Sequence, residues 1–317
     1  MKLLQRSGLF LVCALLVFAP RRAHAEPNRI TVGIYVNQVS SLDLKANTFT
    51  VDFWIWFRSV AKSASPLDSF EVVGARINAK SNVIKKVLPD GQDYAAVRVN
   101  ATIYRKWDLH RYPFDDHPLE LVIEDGDLDA SRSVYVADVT NQGLDPDVGV
   151  AGWSIDGFEH ALVDHVYPSS YGDTSLGTNA EGHFSRYVLR LQARRHGSSR
   201  FLKIALPLFV SVLAAWCAFF IRPKDASPRI GVAVGALFAA AAGTVAINNQ
   251  LPEIDYATMA DRTVFLTFTM IGLSLVASVL VLSLNYAGRE AAHRRVDKVG
   301  AVLFPALFAV LLVWVVR

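Results

Sequence analysis

Residues 107–124 read WDLHRYPFDDHPLELVIE, a turn-rich, charged tip that runs directly into a strand. Pro, Asp and aromatic residues in such density mark a turn between two elements, and the tip alone is compatible with any proline-containing connection. What surrounds it decides between an ordinary turn and a loop with a task.

The chain has 317 residues, of which 52% are hydrophobic and only 19% charged, which leaves room for one soluble domain and a few membrane spans. Its formal net charge is only +3 and its Lys and Arg are dispersed, which argues against nucleic-acid binding. Residues 1–25 carry Lys2 and Arg6, then an apolar run from Leu9 to Ala19, then Ala23, His24 and Ala25. That order is the pattern of a cleaved signal peptide, so the mature chain is expected to start near Glu26; the other reading, an uncleaved anchor, needs a longer apolar run. Of the two cysteines, Cys13 leaves with the leader and Cys217 lies in an apolar segment, so no disulfide framework is available.

From Asn28 to His196 short alternating segments are broken by Gly, Pro, Asn and Asp, which predicts a sandwich of antiparallel strands. In the first strand Ile30, Val32, Ile34 and Val36 form a core face and leave Tyr35 on the polar side. Near Phe49 the residues Phe49, Val51, Phe53, Ile55 and Phe57 share one face, with Trp54 and Trp56 on the other. In the last strand Phe184 shares its face with Arg186 and Arg190. An aromatic ring on a polar face ordinarily covers a loop or a neighbouring sheet, but three recurrences in one domain suggest a shared interface.

After His196 the apolar runs Phe201–Ile221, Ile230–Ile247, Val264–Leu284 and Val299–Val316 are each about long enough to cross a bilayer, giving helices over about 201–221, 228–249, 262–285 and 299–316. Arg222, Lys224 and Arg229 lie in the first connection and Arg289, Arg294, Arg295 and Lys298 in the third, the loop Gly288–Lys298, whereas Leu251–Asp261 holds three acids and no Lys or Arg. The positive-inside rule then puts the first and third connections in the cytoplasm and the β domain outside; the expectation is a multi-pass protein of the inner (cell) membrane with its N-terminal domain in the periplasm or outside. The second span is mostly Gly and Ala, with Thr244, Asn248 and Asn249 toward its outer end, a composition that also serves tight helix packing.

With these parts in order, Tyr112-Pro113-Phe114-Asp115 resembles the core of the loop between the sixth and seventh strands of the pentameric ligand-gated ion channels, the Cys-loop receptor superfamily. Animal members close that loop with a disulfide; residues 26–200 here contain no cysteine, so the resemblance is to the prokaryotic branch. The stretches NAEGHFSRYVLRL around Phe184 and NNQLPEIDYATMAD after the second span are also similar to the family. The resemblance implies an all-β, immunoglobulin-like extracellular domain over 26–196, followed by a four-helix transmembrane pore domain over 197–317. It implies a homo-oligomer, a ring of five, that passes permeant ions and binds a small-molecule agonist between subunits.

By the same resemblance the agonist site is an aromatic box. Tyr35 and Trp54 fall on its complementary side, Tyr167 and Phe184 on the principal side, and Tyr135 or Val136 on the remaining principal loop. Such a box favours an amine or ammonium group by cation–π attraction, and protons are the alternative agonist. Counting back from Pro252 by the family's spacing, the resemblance places Ser227, Gly231, Gly235, Phe238, Ala242, Val245 and Asn249 on the pore, and their steps of four and three keep one helical stripe. A ring of Phe238 side chains is then a gate that closes by dewetting. The mouth, Asp225-Ala226-Ser227-Pro228-Arg229, leans toward anions because no acid stands at the family's cation-selecting position, although Asp225 offers a negative ring lower down. Arg195 is expected to meet Asp115, with Pro252 and Glu253 as the receiving loop and the Asp43–Lys45 turn as its neighbour.

No cofactor is implied. The six histidines of the outer domain form no His-x-x-x-His pair, and the Asp125, Asp127, Asp129 run has Ala130 where a calcium loop needs Gly, so a turn is expected there and no metal. No nucleophile elbow or phosphate loop supports an enzyme. The remaining rival is a non-conducting, membrane-anchored ligand sensor, which has no need of a span with one face of Gly, Ser, Ala and Asn.

Overall fold

The computed structural model describes residues 26–60, 66–169, 172 and 181–316. The expected leader and most of the hairpin tip beyond Tyr167 lie outside these residues. Ten strands come first: β1 (Asn28–Asp43), β2 (Thr48–Ser59), β3 (Phe70–Val72), β4 (Ala75–Val87), β5 (Asp93–Tyr104), β6 (Asp116–Asp125), β7 (Ser133–Ala137), β8 (Gly143–Leu144), β9 (Trp153–Tyr167) and β10 (Gly182–Arg195). One sheet runs β4-β5-β2-β1-β7, with β8 also on β1, and the other runs β3-β6-β10-β9.

The period-2 pattern dictates this sandwich. Ile30, Val32, Ile34 and Val36 of β1 and Phe49, Val51, Phe53, Ile55 and Phe57 of β2 are buried against Leu119, Leu121 and Ile123 of β6 and Tyr187, Leu189 and Leu191 of β10. Each such side chain contributes about 1.5–3 kcal/mol by leaving water, before conformational entropy is set against it. The sheets are not antiparallel throughout: β7 and β8 both pair with β1 in parallel. Trp56 is on the polar face of β2 as expected, yet it is buried, because its indole lies over Gly33 and donates to the Asp138 carboxylate at 3.0 Å. It therefore covers its own sheet and the loop after β7. The Asp125–Asp129 run is a turn, in which the Asp125 carboxylate accepts from the amides of Asp127 and Leu128.

Four membrane-length apolar helices follow: α1 (Gly197–Cys217, continued by a 3-10 turn at Ala218–Phe220), α2 (Ala226–Asn248), α3 (Met259–Tyr286) and α4 (Glu290–Val316). The start of α3 is fixed by a capping box, in which Thr258 accepts from the Asp261 amide while the Asp261 carboxylate accepts from the Thr258 amide. Ser274 of α3 donates to the Ala215 carbonyl of α1 at 2.6 Å, and Trp216 of α1 donates to the Ala301 carbonyl of α4 at 2.9 Å.

The helices differ from the hydropathy reading mainly at their starts. Helix α4 begins at Glu290, so the expected loop Gly288–Lys298 shrinks to Ala287, Gly288 and Arg289. Hydropathy marks where a helix meets lipid, whereas Glu, Ala, Arg and Lys extend it into the polar zone by their helix propensity.

Candidate functional site

The loop between β5 and β6, residues 105–115, is the meeting point of the two halves; counted along this chain it follows the fifth strand. The Tyr112–Pro113 peptide is cis. Asp115 accepts from Arg195 through Nε at 2.7 Å and Nη2 at 3.0 Å, a bidentate pair whose side chains are only 1% and 9% exposed. The Arg195 guanidinium also stacks on Trp153 at 3.9 Å, and His117 shares the same carboxylate through Nε2 at 2.6 Å. Burial pushes the Asp115 carboxyl up, but the hydrogen bonds from His117 and Arg195 outweigh it and hold the group below its ordinary range. The expected pair is thus the centre of a four-residue buried cluster. His117 and Trp153 carried no signal in sequence beyond their position on strand ends.

From this cluster the loop grips two helices. Phe114 packs on Phe201 of α1 at 5.5 Å, and it lies so close to Gly197 that a Cβ there would meet it at 2.7 Å. The carbonyls of His110 and Tyr112 accept from the amides of Met259 and Ala260 at 3.0 and 3.2 Å. Those amides belong to the first turn of α3, where no intrahelical acceptor exists. Tyr256 adds a hydroxyl that accepts from the Leu109 amide at 2.9 Å, and its ring stacks on His110 at 3.8 Å. Pro252 and Glu253 border a cleft of about 380 Å³ with Asn47 and Trp107, and Lys45 reaches the Asn249 carbonyl at 3.4 Å. The contact with α3 had no side-chain signature in the loop sequence, because the loop contributes its backbone carbonyls, and to that of His110 the Arg262 side chain of α3 also donates at 3.2 Å.

The box residues fall into two pairs in different sheets. Tyr35 and Trp54 are cross-strand partners on the face of the first sheet that points away from the core, and Arg98 of β5 completes the row beside Trp54. Asp52 anchors that row by accepting from Arg98 at 2.8 Å and Asn37 at 2.9 Å. In the second sheet Tyr167 and Phe184 meet edge to face at 5.6 Å, with His165 against Tyr167 at 4.5 Å. Tyr167 donates to Glu124 at 3.1 Å and accepts from Arg186 at 2.6 Å, and the Arg186 guanidinium lies over the Tyr167 ring at 5.3 Å. Tyr135 joins neither pair: it is 4% exposed, inside the core, with its ring 6.1 Å from Phe57. Its register explains this, since it pairs with Ile30, a core residue of β1, while Val136 takes the opposite face.

All seven stripe residues, Ser227, Gly231, Gly235, Phe238, Ala242 and Val245 on α2 and Asn249 at its C-cap, are exposed. Phe238 is 71% and Val245 60% accessible, while the buried residues are Arg229, Ala233, Ala236, Ala240 and Ile247. At about 100° per residue the centres of the two sets lie about 180° apart, so the stripe points directly away from the other three helices. Arg229, part of the mouth sequence that leaned toward anions, is fully buried on the far side.

No family model matches the chain. It is similar to a proton-gated ion channel of Gloeobacter violaceus, 23% identical over 302 residues that span 89% of this chain and 81% of that protein. It is also similar to the gamma-aminobutyric acid receptor subunit rho-1 of Homo sapiens, 21% identical over 196 residues, 62% of this chain and 39% of the receptor subunit. The beta subunit of the gamma-aminobutyric acid receptor of Caenorhabditis elegans is 21% identical over 210 residues, 66% of this chain and 36% of that subunit. The chain thus spans about two fifths of the length of these receptor subunits. A β-sandwich set on four membrane-length helices, joined through the Tyr112–Asp115 loop, and a likeness that runs nearly end to end place this chain among the pentameric ligand-gated ion channels, in the branch without the loop disulfide.

Proposed function

We propose that five copies of this ligand-gated channel close into a ring whose α2 helices line the pore, with the β domain outside an inner membrane. The observation that carries the reading is the pore helix: a single subunit that turns Gly, Ala, Ser, Asn and one Phe outward on a continuous stripe needs copies of itself to complete a wall. Phe238 is then the dewetting gate, and Ser227, Gly231, Gly235, Ala242, Val245 and Asn249 complete the lining. The agonist sits between subunits, with Tyr167 and Phe184 of one subunit facing Tyr35 and Trp54 of its neighbour. The separation of these pairs into two sheets supports this, since neither half encloses a ligand alone.

Agonist occupancy moves the β5–β6 loop, and the grip of that loop on Phe201, Met259 and Ala260 carries the motion to α1 and α3. Asp115 and Arg195 hold the loop to β10 as it moves. An amine is the ligand class for which the rings of Phe184, Trp54 and Tyr35 are suited.

A second reading, gating by protons, has two observations in its favour. The similar Gloeobacter protein is named as proton-gated, and the Tyr167 ring already carries an internal cation, Arg186. Voltage-clamp recording of the purified protein in bilayers, with pH and small amines screened separately and asymmetric salt on the two sides, tests both readings. Ligand- or acid-evoked current supports the channel function and identifies the trigger; an assembled protein silent under every condition refutes it.

A further inference from the structure

Arg229 is the largest fully buried side chain among the described residues, and the one Lys or Arg in a helix built mostly of small and aliphatic residues. One Nη atom donates to the Ile221 carbonyl, just past α1, at 3.0 Å; the other donates to the Asp297 carboxylate of α4 at 2.5 Å. Asp297 is itself 17% exposed at the side chain. Among the described residues this is the one hydrogen bond or ion pair that joins α2 to α4. The clamp sits at the Ala226 end of the pore helix, within one turn of Ser227, and its guanidinium is on the side of α2 opposite to the stripe. A buried cation needs a counter-charge, and the carboxylate paired with it among the described residues comes from the helix that is least buried by the other three.

We infer that Asp297 is a positioning and selectivity-determining residue of the pore: it neutralises Arg229 and keeps that charge on the far side of the pore helix. The inference rests on the reading that α2 lines the pore. It assigns the field at the mouth to Asp225, Lys224 and Arg222, which are exposed, and removes Arg229 from it. The mouth sequence alone, Asp225-Ala226-Ser227-Pro228-Arg229, offers Arg229 as a positive charge at that end; the clamp removes it. Freeing Arg229 would return one positive charge per subunit to the mouth, in a ring where such charges add.

The test is the reversal potential of the full-length channel in a tenfold KCl gradient, opened by whichever trigger is effective. Asp297→Asn should raise the anion-to-cation permeability ratio by about threefold or more, the order expected from several unit charges at nanometre range. Asp297→Glu, which keeps the charge, should restore the wild-type ratio. The double variant Arg229→Gln/Asp297→Asn removes a neutral pair and should also leave the ratio unchanged. An assembled, conducting Asp297→Asn channel with the wild-type ratio overturns the inference, since a merely structural ion pair would alter yield and not selectivity. Where Asp297→Asn does not assemble, the double variant decides: a shift toward cations means that Arg229 acts in the pore and refutes the clamp. A control separates the two levels. In a Cys217→Ala background, a charged thiol reagent should block Gly231→Cys; a channel that it leaves unblocked overturns the pore reading and this inference with it.

Discussion

Replacing Asp115 by Asn removes one charge from the joint between the two halves while nearly preserving shape. The wild-type carboxylate is 1% exposed and accepts two hydrogen bonds from Arg195 and one from His117. The amide can accept at only one of its two positions, so Arg195 is left 9% exposed without a counter-ion. Breaking a buried pair from one side typically costs about 3–5 kcal/mol. The Arg195 stack on Trp153, at 3.9 Å, survives the substitution and retains part of the cation's environment, which sets the expected cost at the lower end, about 3 kcal/mol. For a domain of this size that corresponds to a fall in melting temperature of about 6–12 °C.

The assay is thermal melting of the purified oligomer at one fixed scan rate, followed by the trigger dose-response. Arg195→Gln and the double variant complete a cycle, in which the double should be clearly less damaged than the sum of the singles. Melting of Asp115→Asn within about 1 °C of wild type, with an additive cycle, would show that the pair is worth no more than a solvated surface pair and refute the reasoning. The pH dependence has a definite sign. The folded-state pKa of Asp115 is depressed below its ordinary 3.8, so its contribution is fully present above that value and is lost only as pH falls through the lower, folded pKa. Protonation of Asp115 is therefore expected only below its ordinary range, and Asp115→Asn should not reproduce an acid-opened state.

Three further outcomes are expected. Phe238→Ala should weaken the closed gate, with leak current or easier opening; closed-state current and trigger sensitivity identical to wild type would count against the pore assignment. Tyr167→Ala and Phe184→Ala should each shift an amine dose-response to the right by about tenfold, the loss of roughly one ring contact, and unaltered responses in both would remove the box. Gly33→Ala places a Cβ 2.4 Å from the Trp56 ring, so the indole must leave its place; a cost of about 1–3 kcal/mol should be seen as lowered melting together with red-shifted tryptophan emission.

How much of this was legible in the sequence depended on whether the signal was local. The core faces of β1, β2 and β10 follow from alternation alone, since a strand's parity does not depend on its partner once several apolar residues repeat. Tyr135 was not legible: β7 has five residues, and which face they present is set by the pairing of Tyr135 with Ile30, about a hundred residues earlier in the chain. The stripe of α2 was legible because a helix converts spacing into angle without outside help. The partner of Arg229 lies 68 residues away on another helix, and nothing in the mouth sequence points to it. The starts of α1 and α4 were misplaced for a related reason, because polar first turns contribute nothing to hydropathy. Asp115 and Arg195 were found only through resemblance, whereas His117 and Trp153, which complete the cluster, stand two residues from Asp115 and at the head of β9 with no pattern of their own.

The unforeseen backbone contacts change the weight given to each route between the halves. The sequence reading made Pro252 and Glu253 the receiving loop, yet there the β domain is separated by a cleft of about 380 Å³ and is joined across it mainly by an exposed Lys45 bond to the Asn249 carbonyl. At α3 the same loop tip supplies two carbonyls to the first-turn amides and packs His110 on Tyr256. An exposed lysine bond exchanges readily with water and transmits little force, whereas carbonyls that complete a helix terminus cannot leave without exposing amides that have no other acceptor. The tip of the loop also meets Phe201 and Gly197, only two residues beyond Arg195. A displacement of residues 110–114 therefore moves the heads of α1 and α3 together, and α2, which packs against both, is moved by them as well as pulled from its own outer end.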